Sequence, residues 1–179
     1  MKRLYYLAPT IDSAEQISND LHQHGVSDWR FHILSKDEAG LYTHHLHTAN
    51  ALQKTDMVRF MERGLMVGLS VGLLFALPAF YIEAFTVEAW IAICVFCVLF
   101  GTWAGGIGGI SQDNYKTRHF QEAIDAGNYL IMVDAKKKDQ DLIKRLMAQH
   151  HPEAQLQGSS STYTNPFASA EAKDLIKPA

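Results

Sequence analysis

From Gly64 to Tyr115 the chain carries no Lys, Arg or His, although the residues on either side hold 16 Lys and Arg and 9 His. Only Glu83, Glu88 and Asp113 are charged within that stretch. It contains two uncharged runs, Leu65 to Ile82 and Ala89 to Gln112. As helices they reach roughly 27 and 36 Å, so each can cross a hydrocarbon core of about 30 Å, the second with tilt. Glu83 to Glu88 leaves room only for a tight turn, which predicts an antiparallel helical hairpin. A remainder of roughly 100 structured residues is too small to wrap two such helices on all sides, so they are read as membrane spans.

Basic residues set the orientation. Lys54, Arg59 and Arg63 precede the first span, Lys116 and Arg118 follow the second, and the turn has none. The positive-inside bias places both termini in the cytoplasm. Tyr81 and Trp90 then fall at the outer interface, with Pro78 near that end of the first span. The opening Met1, Lys2 and Arg3, followed by a strand-like stretch, does not read as a signal peptide.

Small residues recur every four positions on each span: Gly64, Gly68, Gly72 and Ala76 on the first, Gly101, Gly105 and Gly109 on the second. Lipid is as apolar as Leu, so helices associate in a bilayer through close backbone approach, which such faces permit. The two faces either bind each other within the hairpin or serve a second copy. The additional Gly106 and Gly108 favour a further contact and hence a homo-oligomer.

The polar flanks repeat a pattern. Arg3 to Ala8 reads as a strand and Pro9 ends it. Asp12 with Glu15 reads as a capping box for a helix with Ala14, Ile17 and Leu21 inward, stopped by Gly25, and Trp29 to Ser35 reads as a second strand. Beyond the spans, Asn128 to Asp134 reads as a strand, Lys137 to Gln149 as a helix with Leu142, Ile143, Leu146 and Met147 inward, and Ala154 to Gln157 as a short strand. Two right-handed βαβ units pair most naturally as a four-stranded antiparallel sheet with both helices on one face, the ferredoxin-like arrangement. The expected fold is therefore an α+β membrane protein, a ferredoxin-like βαβ–βαβ cytoplasmic domain with a transmembrane helical hairpin inserted between its halves. Its boundaries are 1–36 for the first half, 37–64 for a linker and amphipathic stalk helix carrying Met57, Phe60 and Met61, and 65–112 for the hairpin. Residues 113–158 form a stalk helix, Thr117 to Ala126, and the second half, and 159–179 a flexible tail with a short helix.

Chemistry is sparse. A net charge of −3 and a pI near 6.3 argue against nucleic acid as a partner, although Tyr5 and Tyr129 can alternate outward from the sheet. Gly101 to Gly109 is the closest approach to a dinucleotide fingerprint. It lies inside a span instead of between a strand and a helix in water, so close packing is the better reading. Cys94 and Cys97 have redox spacing but no charge nearby to favour a thiolate. His44, His45 and His47 are the most suggestive polar cluster, since imidazole ligates zinc, copper and nickel, yet on a helix His45 leaves the face that the other two share. A solvated linker is preferred there. His150 and His151 read as helix-end residues, Asp37, Glu38 and Glu171 as surface charges, and Lys136, Lys137 and Lys138 as a weak contact for anionic lipid. No catalytic residue and no cofactor are assigned.

Several strings carry a resemblance: Lys2 to Leu7, Leu52 to Asp56 with Glu62 to Gly64, Phe120 to Gly127 leading into Leu130 to Asp134, and His150 to Ala154. Over residues 1–158 the chain resembles the small bacterial two-span membrane proteins grouped as domain of unknown function 1269. The resemblance implies a bacterial inner-membrane protein with a cytoplasmic βαβ-type domain and a stress-related role; some members are labelled NAD/FAD-utilising enzymes. The second span departs from the group's Gly, Ala and Leu-rich pattern by carrying Trp90, Cys94, Phe96, Cys97, Phe100 and Trp103. The leading expectation is a non-enzymatic sensor or scaffold that binds a cytoplasmic protein or small ligand and self-associates through its Gly-lined spans. An oligomeric channel or transport accessory is the alternative, and a redox enzyme ranks third.

Overall fold

The computed structural model describes residues 1–81, 86–163 and 166–167, without the side chains of 79–81. The turn from Glu83 to Phe85, the Tyr81 ring, Glu171 and most of the expected tail lie outside the described residues. Residues 1–50 and 115–163 form one compact unit, and residues 51–114, with Pro166 and Phe167, form another.

The first unit is built on a fully antiparallel four-stranded sheet of order β2-β3-β1-β4, made from β1 (Lys2–Ala8), β2 (Phe31–Leu34), β3 (Tyr129–Ala135) and β4 (Gln155–Ser161). Registers run Lys2↔Ala135 to Ala8↔Tyr129 and Phe31↔Val133 to Leu34↔Leu130. Strands from both ends of the chain thus alternate in one sheet. Because side chains alternate across a pleated sheet, Leu4, Tyr6, Phe31, Ile33, Ile131 and Val133 share one face, where α1 (Ile11–Gln23) and α7 (Gln140–His150) cover them with Ile17, Leu21, Ile143 and Met147. Tyr5, Leu130 and Met132 occupy the other face, against Phe120, Ile124 and Ala49. Tyr5 and Tyr129 are therefore both buried, not turned to solvent.

Local chemistry sets the boundaries. Thr10, not Asp12, caps α1: its hydroxyl accepts from the Ser13 amide at 3.2 Å, and Asp12 sits in the first turn. Gly25 ends the helix at φ +83°, a conformation costly for any residue with a Cβ, while the Val26 amide returns to the Leu21 carbonyl. Asp28–Arg30 is a short 3-10 turn that shortens the expected second strand and leaves Trp29 exposed. Leu142 lies on the exposed side of α7, because that helix starts at Gln140 and only Ile143, Leu146 and Met147 fall on its buried stripe. β4 continues to Ser161, past the expected start of the tail. Gly158, at φ +145°, absorbs the register shift opposite Tyr5 and Tyr6, and the Tyr5 and Ser160 hydroxyls meet at 2.9 Å.

The expected 37–64 linker is divided between the units. Glu38–Thr43 forms α2, capped by Asp37, and Leu41, Leu46 and Ala49 are buried. The Ile33 amide donates to the His47 carbonyl and the Ala49 amide to the Ile33 carbonyl, so this segment docks beside β2. Of its apolar residues, Ala39 and Tyr42 stay exposed while Leu41, Leu46 and Ala49 pack. The stretch Thr117 to Ala126 forms a 3-10 turn and the short α6 (Gln121–Asp125), whose Ile124 joins the core.

The second unit holds α3 (Ala51–Lys54), α4 (Met57–Tyr81) and α5 (Val87–Ile110). α5 starts two residues before the expected span because Thr86 caps it and Glu88 sits favourably at its positive end. Both long helices are apolar enough to cross a membrane, and only 11% and 6% of their most apolar windows are buried. A helix belonging to a soluble core would be covered instead.

Candidate functional site

Within the hairpin the glycines do mechanical work. A Cβ on Gly64 would strike the Gly101 carbonyl, one on Gly68 the Cys97 carbonyl, and one on Gly105 the Phe60 carbonyl. Gly109 abuts Met57, and Gly72 packs on Cys94 and Cys97. The two faces read from the sequence therefore bind each other inside one chain. Gly106, counted as surplus, faces the Met61 side chain, and Gly108 has Phe60 at 3.8 Å. Both cysteines are free thiols on this packed face. At the base, Arg59 and Asp56 form a buried ion pair at 3.0 Å. Gly101 to Gly109 lies inside α5, with no strand before it, so it does not form a phosphate-binding turn.

The His cluster disperses. His44 Nδ1 lies 2.6 Å from Glu15, His47 is 4.0 Å from Asp28, and His45 turns away at φ +52°. His44 instead joins Asp12 and Glu15, whose ligating atoms lie within 4.8 Å of one another and of its ring nitrogen. Those three donors can hold a divalent cation in an open site, but Glu15 already pairs with His44 and Asp12 is exposed. The sequence hides this grouping because it depends on α1 meeting α2.

Three imidazoles do converge, at the ends of α1 and α7. Asp20 lies 2.8 Å from His150, 3.2 Å from His151 and 3.4 Å from His24. Burial raises the Asp20 pKa, but hydrogen bonds with His150 and His151, then the charges of His150 and His24, outweigh it and the pKa falls below the ordinary value. Glu153 extends the cluster, 2.8 Å from the Ser13 hydroxyl and 3.5 Å from His151. Ser18, His22 and Asp28 form a second chain, at 3.4 and 2.6 Å. Ser18 is only 6% exposed, so its hydroxyl offers no nucleophile to a substrate.

Beside His24 opens a cavity of about 250 Å³ between the α1 exit and the start of α7. Apart from Arg30, the buried part of its wall is apolar, from Leu21, Val26, Ile143 and Leu146; the exposed part includes Lys136 and Lys138. Arg30 is buried in the wall, donating through Nε to the Asp134 carbonyl at 2.7 Å and through Nη2 to Asp139 at 3.0 Å. The lysines read from the sequence as a weak lipid contact thus border a cavity with Arg30, and nothing local marks an arginine in a 3-10 turn as buried.

On the opposite sheet face Arg3 holds Asp134 through two bonds of 2.7 and 2.8 Å. Burial lowers the Arg3 pKa, but the bond to Asp134 and its charge prevail and raise it; His32 is lowered, first by burial and then by the Arg3 charge. Direct Arg–carboxylate pairing across adjacent strands is a structural device, and the neighbouring Tyr5 and Ser160 hydroxyls are buried and hydrogen-bonded to each other. Compared with known proteins, the chain matches no family model, no curated protein and no solved structure.

Proposed function

We propose that the protein is a membrane-tethered sensor or scaffold of the bacterial inner membrane, with a ferredoxin-like cytoplasmic domain held by a two-span hairpin. It belongs, on this reading, with the two-span proteins it resembles in sequence. The observation that carries the proposal is topological. Strands before and after the hairpin pair residue by residue in one sheet, so both flanks occupy one compartment, and the chain crosses a bilayer an even number of times. Two long apolar helices with exposed faces supply those crossings. The strand order β2-β3-β1-β4 with both flanking helices on one face supports the ferredoxin-like assignment. The positive-inside bias of the basic residues supports a cytoplasmic domain.

Self-association is retained in altered form. The glycine faces are occupied within one hairpin, so a homo-oligomer would use the outward Leu and Phe surface of α4 and α5. A channel would need a polar lining, and the spans are uncharged from Leu65 to Ile82 and from Ala89 to Gln112.

The test is fractionation combined with thiol labelling, in a background with Cys94 and Cys97 changed to Ala. Gln16→Cys, Val87→Cys and Tyr163→Cys would be treated with a membrane-impermeant maleimide. The membrane pellet should hold the protein, position 87 should react in intact cells, and positions 16 and 163 only after permeabilisation. Recovery in the supernatant, or labelling of 16 and 163 from opposite sides, would remove the proposal.

A further inference from the structure

We propose that the cavity between α1 and α7 binds a small organic anion, a phosphate or carboxylate carried on a short apolar stem. This rests on the sensor reading and names the class of molecule sensed. The cavity holds about 250 Å³. That is slightly below the roughly 300–1,000 Å³ of drug-sized ligand sites, so the occupant is small. Its wall is divided by chemistry. Apart from Arg30, the residues shielded from water are hydrocarbon, Leu21, Val26, Ile143 and Leu146, whereas the Lys136 and Lys138 side chains are exposed and make no ion pair or hydrogen bond among the described residues.

Arg30 supplies the recognition element. Its side chain is 9% exposed, and a guanidinium carries five N–H donors in a fixed fork. The Asp134 carbonyl and Asp139 occupy Nε and Nη2, leaving Nη1 without an acceptor among the described residues. A buried cation with an unused donor in a cavity wall suits one oxygen of an oxyanion. Asp139, the only acid in the wall, is partly neutralised by Arg30, so the balance there is cationic although the whole chain has a net charge of −3. Asp139 also leaves α7 without a side-chain cap, and the positive end of that helix adds to the same field.

A stem-bearing anion is favoured over a bare one because the apolar wall gains nothing from inorganic phosphate.

The experiment titrates full-length protein in neutral nanodiscs with phenyl phosphate, inorganic phosphate and benzoate, by calorimetry. Phenyl phosphate and benzoate should bind saturably at one site per chain, and phenyl phosphate more tightly than inorganic phosphate. Lys136→Gln and Lys138→Gln should each weaken it about tenfold, the loss of one charge-assisted contact. Lys137→Gln has the same charge change outside the wall and should bind as wild type. Leu142→Trp, which places bulk at the exposed side of the cavity, should abolish binding. Absence of saturable binding, equal losses for all three lysines, or insensitivity to Leu142→Trp would overturn the site. Displacement of phenyl phosphate by phosphatidylglycerol in the disc would show a lipid contact and also overturn it. The proposed tether fails separately: phenyl phosphate bound by protein from the soluble fraction would leave the cavity standing.

Discussion

At the scale of single residues, two buried groups make opposite predictions. Tyr6 is 2% exposed and its hydroxyl has no hydrogen-bond partner among the described residues, while burial drives its pKa far upward. An unpaired buried hydroxyl costs about 1–3 kcal/mol, so Tyr6→Phe should raise stability by up to that amount, read as increased amide protection of β1 and β3 in hydrogen exchange. Tyr5→Phe should lower it by about 1 kcal/mol, because the Tyr5–Ser160 hydrogen bond is lost. Asp20 predicts a pH dependence. Its folded pKa is depressed, so the folded state binds fewer protons there, and its contribution is full above the unfolded carboxylate value and lost as pH falls through the folded one. Between about pH 5 and pH 2 the wild-type chain should lose more protection than Asp20→Asn. None of this was legible in the sequence. Asp20 stands one helical turn before His24 in α1, but it meets His150 and His151 only because the ends of α1 and α7 come together.

At the scale of elements, the hairpin separates close contact from mere smallness. Gly68→Ala puts a Cβ against the Cys97 carbonyl, backbone that cannot yield, and overpacking of that kind costs about 1–3 kcal/mol. Gly108→Ala meets nothing closer than Phe60 at 3.8 Å and should cost nothing. Unfolding in mixed micelles by SDS titration should separate the two variants, and equal behaviour would refute the packing. The i, i+4 glycine pattern was readable beforehand because helical periodicity puts those residues on one face; which face each would meet was not. β4 shows the converse. Gln155–Ser161 has weak strand propensity, and only its pairing with β1 and the Tyr5–Ser160 bond make it a strand.

At the scale of the molecule, residues 51–114 interrupt a sheet that closes without them. Leu34 at the end of β2 pairs with Leu130 at the start of β3, so the chain leaves and re-enters at one end of that strand pair. Replacing residues 51–114 by a short Gly/Ser linker should yield a soluble domain with the same sheet, observable by circular dichroism and by retained amide protection in β1 and β3. An unfolded or aggregated product would show that the sheet depends on the spans. The sequence by itself determined the two long apolar helices, the α1 stripe of Ala14, Ile17 and Leu21, and the strand and helix order, because hydrophobic period and charge exclusion are local properties that survive without a partner. Only the tertiary structure decided that the glycine faces meet within one chain, that His44, His45 and His47 part while His24, His150 and His151 gather on Asp20, and that Arg30 and Lys138 border a common cavity. Those are encounters between residues far apart in the chain, fixed by which faces pack, and no local pattern records them.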